Sequence, residues 1–413
     1  MNVLCLENNG ISKLNTIEEL IQKEIYVYVL TKNENIVELS GVKDYIVTDF
    51  DDIDRLLLDI NCYCLKHGIV FDLVVTFTEF LVETVGLIDL YFHNNTDKYL
   101  AAKIARNKYL TKYELSKNDN CKHMIPYYKL ITDKSDIDCL DFSHDREYIL
   151  KPVNCTASYG IYKISNKREA FEKYDDYRKS NDEELSIRLG KSANDSYMIA
   201  EEYIGGYEIS VESITANGVT DSLVIHDKIS AVEPPLFLEQ CCSSYSERID
   251  ETLKKHIIRA TAEIIKAIGL KNGITHIEYR IINDAICLIE INLRPGGGLI
   301  VESVFFSTGI NMISEYILRA LNSNEESKVI QQISINKSIY PSKGVVTKIC
   351  GLEEIGLNID SIKILKSTCS VGERVVTPEA AGNIEILLCG NNYEKLLQDI
   401  ELIDSTIEIE VNA

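Results

Sequence analysis

Positive charge is scarce in this sequence. Its 43 lysines and arginines are outnumbered by 64 aspartates and glutamates, and the formal net charge is −21 at pH 7. Such a surface opposes non-specific binding to nucleic acid and to anionic membranes, because both present negative phosphates. We therefore expect neither as a partner. Any phosphate that the protein holds must be bound by a few placed lysines or arginines and by a metal ion.

Long apolar runs and an export signal are also lacking. The most apolar stretch, residues 71–92, is interrupted by Glu79, Glu83 and Asp89, so it is not expected to span a bilayer. Residues 1–10 contain neither a basic segment nor a long apolar one, and they favour a first β-strand over a signal peptide. These features predict a cytoplasmic protein.

The twelve cysteines follow no disulfide or zinc pattern. They are scattered along the chain, no C-x-x-C pair occurs, and the pairs Cys62/Cys64 and Cys241/Cys242 lack partners at zinc spacing. The pattern predicts reduced thiols that act as small apolar residues.

Two common nucleotide-binding motifs are absent as well. The first hundred residues alternate short apolar strands with segments of helical spacing, which predicts a βαβ series and a small parallel sheet. No G-x-G-x-x-G follows the first strand, so a dinucleotide-binding Rossmann domain is not favoured. The P-loop pattern G-x-x-x-x-G-K-[ST] does not occur either.

The length predicts more than one domain. At 413 residues the chain is too long for a single ordinary hydrophobic core. Changes of pattern near residues 110 and 330 predict linkers there. A mixed region with hairpin-like strands lies between them, and the chain from residue 340 onward is rich in strand patterns.

One predicted hairpin brings acidic residues together. Two strand-like runs are joined by residues 283–285, which we predict as a three-residue loop. In that register Glu278 lies opposite Glu290, and His276 lies opposite Asn292. Facing carboxylates destabilise a sheet by up to ~1 kcal/mol. A positive charge should therefore lie between them.

This acidic pair has two interpretations. Glu278, Glu290 and Asn292 form an oxygen-only ligand set, of the kind that Mg²⁺ takes while it keeps positions for water and phosphate oxygens. Alternatively, Arg280 or Arg294 neutralises the pair as a structural salt bridge. The hairpin alone does not decide between them.

Arg294 is followed by Pro295 and by three glycines, Gly296, Gly297 and Gly298. Backbone N–H groups of such a run can approach an anion closely. The planar guanidinium suits a phosphate or a carboxylate. Taken alone, the run is also compatible with an ordinary turn.

A lysine in an apolar strand is a second candidate for phosphate binding. Lys151 must reach a partner, because a buried and unpaired ammonium is costly. The small-residue loop that follows, residues 154–160, offers Thr156, Ser158 and Gly160 to lie over phosphates. The alternative is a solvated lysine of an edge strand beside a flexible turn.

A third candidate is the strand end at residues 201–204, which reads Glu-Glu-Tyr-Ile and precedes two glycines. Such a connector can hydrogen-bond the edge of a flat base, and Glu208 can hold two ribose hydroxyls. Solvated surface charges are the alternative.

Taken in order, these stretches resemble the ATP-grasp superfamily of carboxylate–amine ligases over roughly residues 1 to 400. The resemblance rests on five pieces: A-R-N-K (105–108), I-L-K-P (149–152), A-E-E-Y-I-G-G-Y-E (200–208), H-I-E-Y-R (276–280) and I-E-I-N-L-R-P-G-G-G (289–298). It implies an α/β and α+β protein with the ATP-grasp fold. The implied parts are an N-terminal α/β domain (1–110), a central two-lobed ATP-binding domain (111–330, an ATP lobe 111–205 and a metal and substrate lobe 206–330) and a C-terminal β-rich domain (331–413).

The resemblance also assigns roles to residues of this chain. It implies two Mg²⁺ ions, for which Mn²⁺ can substitute, held by Glu278, Glu290 and Asn292. It implies catalytic roles for Arg294 and Lys151, with Arg294 stabilising an acyl phosphate. ATP would be bound by Lys108, Lys151, Ser158, Glu201, Glu202, Tyr203, Ile204 and Glu208. Substrate would be bound by Glu79, His226, Glu239, Arg294, Gly296, Gly297 and Gly298. The family often has aspartate before the first lysine, where this chain has Asn107.

Within the superfamily, I-H-D-K at 225–228 with Glu239 downstream is most similar to the L-amino-acid ligases, which join two amino acids into a dipeptide. Where such relatives place a bulky residue, this chain has Gly298, which implies room for the first side chain. The acidic composition would suit a basic one, as in an arginine-accepting enzyme of antibiotic-dipeptide synthesis. A ligase for another acid and amine, or a non-catalytic ATP-binding sensor, is the alternative. His226 and His276 are candidates for the amine base, and a homodimer is the default expectation.

Overall fold

A computed structural model describes residues 1–8, 10–32, 38–154, 160–179, 197–232, 238–323, 330–375 and 384–412. The helices of this part are α1 (Thr16–Ile21), α2 (Ile53–His67), α3 (Val82–His93), α4 (Asp97–Arg106), α5 (Lys108–Ser116), α6 (Lys134–Asp138), α7 (Lys167–Lys179), α8 (Glu251–Ala267), α9 (Ile300–Thr308), α10 (Met312–Ala320), α11 (Leu352–Asn358) and α12 (Tyr393–Thr406). None of them is long and apolar enough to cross a bilayer.

The strands belong to four sheets. They are β1 (Asn2–Leu6), β2 (Tyr26–Thr31), β3 (Asp44–Val47), β4 (Leu73–Thr76), β5 (Tyr128–Ile131), β6 (Tyr148–Pro152), β7 (Tyr162–Ile164), β8 (Met198–Glu202), β9 (Tyr207–Ala216), β10 (Val219–Val232), β11 (Leu238–Ser243), β12 (Gly273–Ile282), β13 (Ala285–Asn292), β14 (Ile333–Ile339), β15 (Gly344–Cys350), β16 (Ile362–Ser367), β17 (Arg374–Val375), β18 (Ile384–Gly390) and β19 (Glu408–Asn412).

The first sheet is parallel, as the alternation of strand and helix patterns predicts. Its order is β3-β2-β1-β4. Strand β1 is apolar on both faces: Val3 and Cys5 belong to one hydrophobic core, and Leu4 and Leu6 to another. Burial on both faces is the usual condition of a parallel strand. Cys5 acts there as a small apolar residue, and the described cysteines are free thiols.

An antiparallel sheet, β5-β8-β6-β7, carries the Lys151 strand and the strand end at Glu201. Helices α6 and α7 pack against it over a core that contains Tyr148 and Met198. The pairing Lys151↔Ile199 sets β6 beside β8, so the candidate phosphate lysine and the candidate base-binding segment share one sheet.

The largest sheet has eight strands in the order β13-β12-β9-β10-β11-β14-β18-β16. Its hydrogen bonding continues from β11 to β14, where Cys241 pairs with Lys337. One sheet thus includes strands from both sides of residue 330, and residue 110 lies within α5. The domain divisions near 110 and 330 stay predictions. Three further strands form a small sheet, β17-β15-β19.

The hairpin of β12 and β13 corrects one prediction. Its loop has two residues, Asn283 and Asp284, both with positive φ, because Ile282 already pairs with Ala285. The three-residue loop was therefore wrong. The register at the acidic pair is nevertheless as predicted, since the ladder slips by one residue between Glu278 and Tyr279.

The slip is a β-bulge at Ile289. Tyr279 pairs with Leu288 and Glu278 pairs with Glu290, so Ile289 is the extra residue. Simple alternation along this run would set Leu288 on the same face as Glu290, but the bulge turns it away, and Leu288 packs with Tyr279 in the core.

Candidate active site

The facing carboxylates Glu278 and Glu290 are paired across β12 and β13, and each is bound by its own lysine. The Nζ atom of Lys228, on β10, lies 3.0 Å from Glu278 Oε1. The Nζ atom of Lys108, at the start of α5, lies 2.9 Å from Glu290 Oε1. The expected positive charge is thus present. Two lysines contribute it, whereas the alternative interpretation named Arg280 or Arg294.

The buried side chain of Lys228 lies at the centre of a half-buried acidic cluster. Besides Glu278 it contacts Glu208 and lies 3.3 Å from Glu239 Oε2. Burial opposes its charge, but the three carboxylates outweigh burial and hold the pKa of Lys228 well above its usual value. The predicted ribose residue, the predicted substrate residue Glu239 and a predicted metal ligand therefore converge on one ammonium.

A metal ion would find an oxygen-only donor set here. Glu278 and Glu290 are opposite each other, and Asn292, which pairs with His276, is buried two residues beyond Glu290 on the same strand. Carboxylate and amide oxygens suit Mg²⁺. Among the described residues, His, Cys, Asp and Glu side chains form no group of three that could hold a metal. A fit to Mg²⁺ therefore depends on the amide and on oxygens from the nucleotide.

His276 links this pair to a fully buried carboxylate. Its Nδ1 lies 2.5 Å from Glu212 Oε1, and its Nε2 lies 3.2 Å from Glu278 Oε1. Burial opposes protonation, but the two carboxylates outweigh it and raise the pKa of His276 to about 10. A charged imidazolium is a poor general base at neutral pH. Glu212 also accepts the Gly296 N–H, at 3.3 Å.

Arg294 is bound to the N-terminal part of the chain. Its Nε lies 2.9 Å from Glu79 Oε2, and Nη1 donates to the Pro295 carbonyl at 2.7 Å. Glu79 is buried and also pairs with Arg106, at 3.1 Å. Glu79, a predicted substrate residue, and Arg294, a predicted catalytic residue, are thus in contact.

The three glycines have different surroundings. A Cβ at Gly296 would lie 2.8 Å from His276 Nδ1, so that position cannot accept a side chain without a shift. A Cβ at Gly297 would meet nothing within 4 Å. Gly298 has φ +56°, and a Cβ there would lie 2.9 Å from Glu385 Oε1. Of the three glycines, only Gly297 has free space at the position of a side chain.

In the predicted ATP lobe, Lys151 forms an ion pair with Glu201 of the predicted base-binding segment. Lys151 Nζ lies 3.1 Å from Glu201 Oε2, and both side chains are buried. Burial would raise the pKa of Glu201, but Lys112 and Lys151 lower it below its usual value. Ser158 and Thr156 lie outside the described residues.

The rest of the predicted base-binding segment is hydrogen-bonded by residues from two distant parts of the chain. Arg280 donates to the Ile204 carbonyl at 3.2 Å and to the Tyr203 hydroxyl at 3.2 Å. The backbone N–H of Glu202 is already donated to the Tyr127 carbonyl, at 2.8 Å. Arg280 also pairs with Glu208, at 3.5 Å, so it ties the base segment to the ribose residue.

His226 lies below the site rather than on its surface. It is fully buried, and its Nε2 lies 2.9 Å from the Ser303 hydroxyl. Burial lowers its pKa, with Glu212 opposing. The neighbouring carboxylate Oε1 of Glu212 is 3.9 Å from its Nδ1.

Three residues of this arrangement were not among the predicted site residues: Lys112, Glu212 and Lys228. Two of them carried a signal. Lys112 is four residues after Lys108, hence on the same face of a helix, and Glu212 follows Glu208 at an even strand spacing. Lys228 ends the I-H-D-K motif at 225–228, but its ion pairs follow only from the sheet order, in which β10 lies between β9 and β11 and β12 is one strand further.

Comparison with known proteins agrees with this geometry. Residues 145–303 match the family model of the ATP-grasp domain. In sequence, the alanine–anticapsin ligase of Bacillus subtilis is 29% identical over 178 residues, which are 40% of this chain and 34% of that protein. The corresponding enzyme of Bacillus amyloliquefaciens is 28% identical over 181 residues. The chain thus covers about a third of the length of the relatives that it matches.

Solved structures share the fold along the whole chain. An L-amino acid ligase from Bacillus licheniformis has a TM-score of 0.80 at 19% identity, with 100% of this chain and 99% of that one covered. Phosphoribosylglycinamide synthetase from Anaerococcus prevotii has a TM-score of 0.69 at 15% identity, with 100% and 99% covered. The chain therefore has the ATP-grasp fold and carries an ATP-grasp domain, which confirms the predicted fold class.

Proposed function

We propose that this protein is an ATP-dependent carboxylate–amine ligase that joins two L-amino acids into a dipeptide. The observation that carries the proposal is a pair of facing carboxylates that are each bound by a lysine, together with another buried lysine in the sheet of the predicted base segment. Glu278 and Glu290 face each other, Lys108 binds one of them, and Lys151 lies in the sheet that carries the base segment. The relatives' names point to amino-acid substrates.

The reaction needs a carboxylate to become an electrophile. An oxygen of the first amino acid's carboxylate would attack the γ-phosphorus of ATP, which releases ADP and leaves an aminoacyl phosphate. The amine of the second amino acid would then attack the carbonyl carbon, form the amide bond and release phosphate. The phosphoryl group carries concentrated negative charge, so cations must lie around it.

The chain supplies those cations from several elements. Lys108 and Lys151 would hold phosphate oxygens, and Glu201 to Ile204 with Glu208 would hold the base and ribose. Glu278, Glu290 and Asn292 would hold Mg²⁺, or Mn²⁺ in its place, which neutralises charge on the phosphates when it is bound. Lys228 and Lys108 would then share those carboxylates with the metal.

Arg294 would stabilise the oxygen that becomes negative as the amine adds. Its contact with Glu79 supports this role, since an arginine held on one side by an ion pair keeps its remaining donors in a fixed direction. A Cβ at Gly297 would meet nothing within 4 Å, so a substrate has room beside the backbone there.

We further propose that the first amino acid has a basic side chain, as arginine has. Gly298 leaves no side chain between the loop and two buried polar residues: a Cβ there would lie 2.9 Å from Glu385 Oε1 and 3.7 Å from Asn336 Nδ2. The Glu385 carboxylate suits a guanidinium or an ammonium group.

The experiment is a screen for ATP-dependent phosphate release, with Mg²⁺, over single and paired L-amino acids, followed by mass analysis of the products. We expect release with a product whose mass equals a dipeptide. Silence over all pairs, with ATP still bound, would reject the dipeptide reaction and favour another acid and amine or a sensor.

Glu385→Gln tests the basic side chain. The carboxylate gives a charge-assisted hydrogen bond, so we expect kcat/KM for arginine to fall about tenfold while that for leucine changes little. Glu353→Gln, on the exposed face of α11, is the matched control. Equal losses for both amino acids would contradict the assignment.

A further inference from the structure

A third lysine, Lys112, is buried beneath the two candidate phosphate lysines. Its exposed fraction is 1%, and its ammonium is directed at groups of the chain itself. It lies one helical turn after Lys108 on α5, and its ammonium donates to two backbone carbonyls of β13, those of Leu288 at 2.5 Å and Ile289 at 3.0 Å. Its Nζ is also 3.7 Å from Glu201 Oε2, on β8 of the four-stranded antiparallel sheet.

Those two carbonyls lie at the β-bulge that sets the register of the acidic pair. Strand β13 is at the edge of the eight-stranded sheet, so its outer side has no strand beside it in that sheet. Ile289 is the extra residue, and the residue after it is Glu290. Without the bulge, the two-residue loop would set Glu278 opposite Ile289, and Glu290 would be displaced from it along the strand.

We infer that Lys112 is a positioning residue that fixes the bulge at Ile289, and so holds Glu290 opposite Glu278 and at a set distance from the ATP lobe. The inference rests on the proposed function only in treating Glu290 as a metal ligand. The antiparallel sheet that carries β8 is linked to the bulge through Glu201, which lies 3.7 Å from Lys112 and 3.1 Å from Lys151.

The electrostatics of the site support a positioning role. Burial lowers the pKa of Lys112 to about 8, with Glu201 opposing and Lys151 adding to the shift. A buried lysine kept among other cations carries an electrostatic cost that an apolar residue would avoid. Its two carbonyl acceptors and Glu201 account for the presence of an ammonium there.

The test uses the full chain with three variants. Lys112→Met removes the donors, and Lys112→Gln keeps one amide NH2 group on a shorter side chain. Lys117→Met is the control. Lys117 lies just after the same helix and pairs with Glu114 on the exposed surface. ADP binding is measured by calorimetry over a series of Mg²⁺ concentrations, and thermal unfolding is followed for each variant. Amide hydrogen exchange of residues 285–292 reports on the bulge directly.

We expect Lys112→Met to raise the Mg²⁺ concentration needed for ADP binding by about tenfold, as loss of a group supporting a metal ligand does. ADP binding without Mg²⁺ should stay within about twofold, since Lys112 does not reach the nucleotide. Exchange should rise in 285–292, Lys112→Gln should give an intermediate shift, and Lys117→Met should behave as the unmodified protein.

An unchanged Mg²⁺ dependence in Lys112→Met with unchanged exchange would overturn the inference. So would a loss of folding in both Lys112 variants, because the role would then extend beyond the site. These outcomes differ from a failure of the proposed function. The inference is read from Mg²⁺-dependent ADP binding, whereas the ligase proposal is read from dipeptide formation.

Discussion

Glu278 and Glu290 face each other on one hairpin, yet they are held in different ways. Glu278 belongs to a network within a single sheet, through Lys228 on β10 and His276 on its own strand. Glu290 is held by Lys108, which comes from a helix packed beside the sheet. The position of Glu278 is therefore fixed by the sheet register, whereas the position of Glu290 depends on how α5 packs against β13.

Replacement of Lys228 and of Lys108 tests this comparison through the free energy of unfolding. Lys228→Met would leave Glu208, Glu239 and Glu278 without their shared ammonium, and breaking a buried ion pair costs about 3–5 kcal/mol of unfolding free energy. Lys108→Met removes the ammonium of one carboxylate, Glu290, instead of three. Glu290 is 20% exposed and Glu278 is 22% exposed, so the smaller number of unpaired charges sets the smaller expected cost, about 1–3 kcal/mol.

Urea unfolding of both variants, measured without nucleotide, checks these values. Equal destabilisation by the two changes would break the comparison and would mean that the packing of α5 supports the site as strongly as the sheet does.

The carboxylates themselves should separate activity from stability. We expect Glu278→Gln and Glu290→Gln each to lower kcat by about 10²–10³, the usual loss when a charge-stabilising group is removed. Only Glu278→Gln should also lower the melting temperature, because it takes a charged partner from both Lys228 and His276. Steady-state kinetics and thermal unfolding on the same samples test this, and Glu353→Gln is again the surface control.

A further test is a pH dependence of stability that involves only the Glu278 side of the hairpin. The folded pKa of His276 is about 10, against about 6.5 for an unfolded histidine. Protonation therefore favours the folded state: the contribution is complete below pH 6.5 and is lost as the pH rises towards 10.

The free-energy difference between the protein and its His276→Gln variant should shrink over that range, in urea unfolding without metal. A Lys108→Met variant should keep the slope of the unmodified protein. A difference between the protein and His276→Gln that does not change with pH would show that His276 is not charged in the folded state.

Local sequence patterns predicted much of the fold. The short apolar runs of β1 and β4 and the helical spacing of α2 and α3 are local properties, and the structure has strands and helices there in the predicted alternation. The hairpin shows the limit of such reasoning. Its register at Glu278 is as predicted although the loop is shorter, because the bulge at Ile289 adds the residue that the loop lacks.

The candidate site was predictable where residues cluster in the chain and not where distant elements meet. The motifs holding Lys151, Glu201 and Glu290 could be read in order along the sequence. The sequence pointed to arginines as the neutralising cations of the acidic pair, but two lysines from β10 and α5 occupy that position. Lys112 had the helical spacing to share a face with Lys108, but its acceptors are backbone carbonyls that any residue type would present.

By itself, the sequence determined the chemical inventory: acidic ligands with alternating spacing, a glycine run after an arginine, and strands and helices whose periodicity is local. The tertiary structure alone decided which ammonium binds which carboxylate and which imidazole lies between Glu212 and Glu278. The physical reason is that burial makes each charge depend on its nearest partner, and those partners come from β10 and α5, far from the hairpin in sequence.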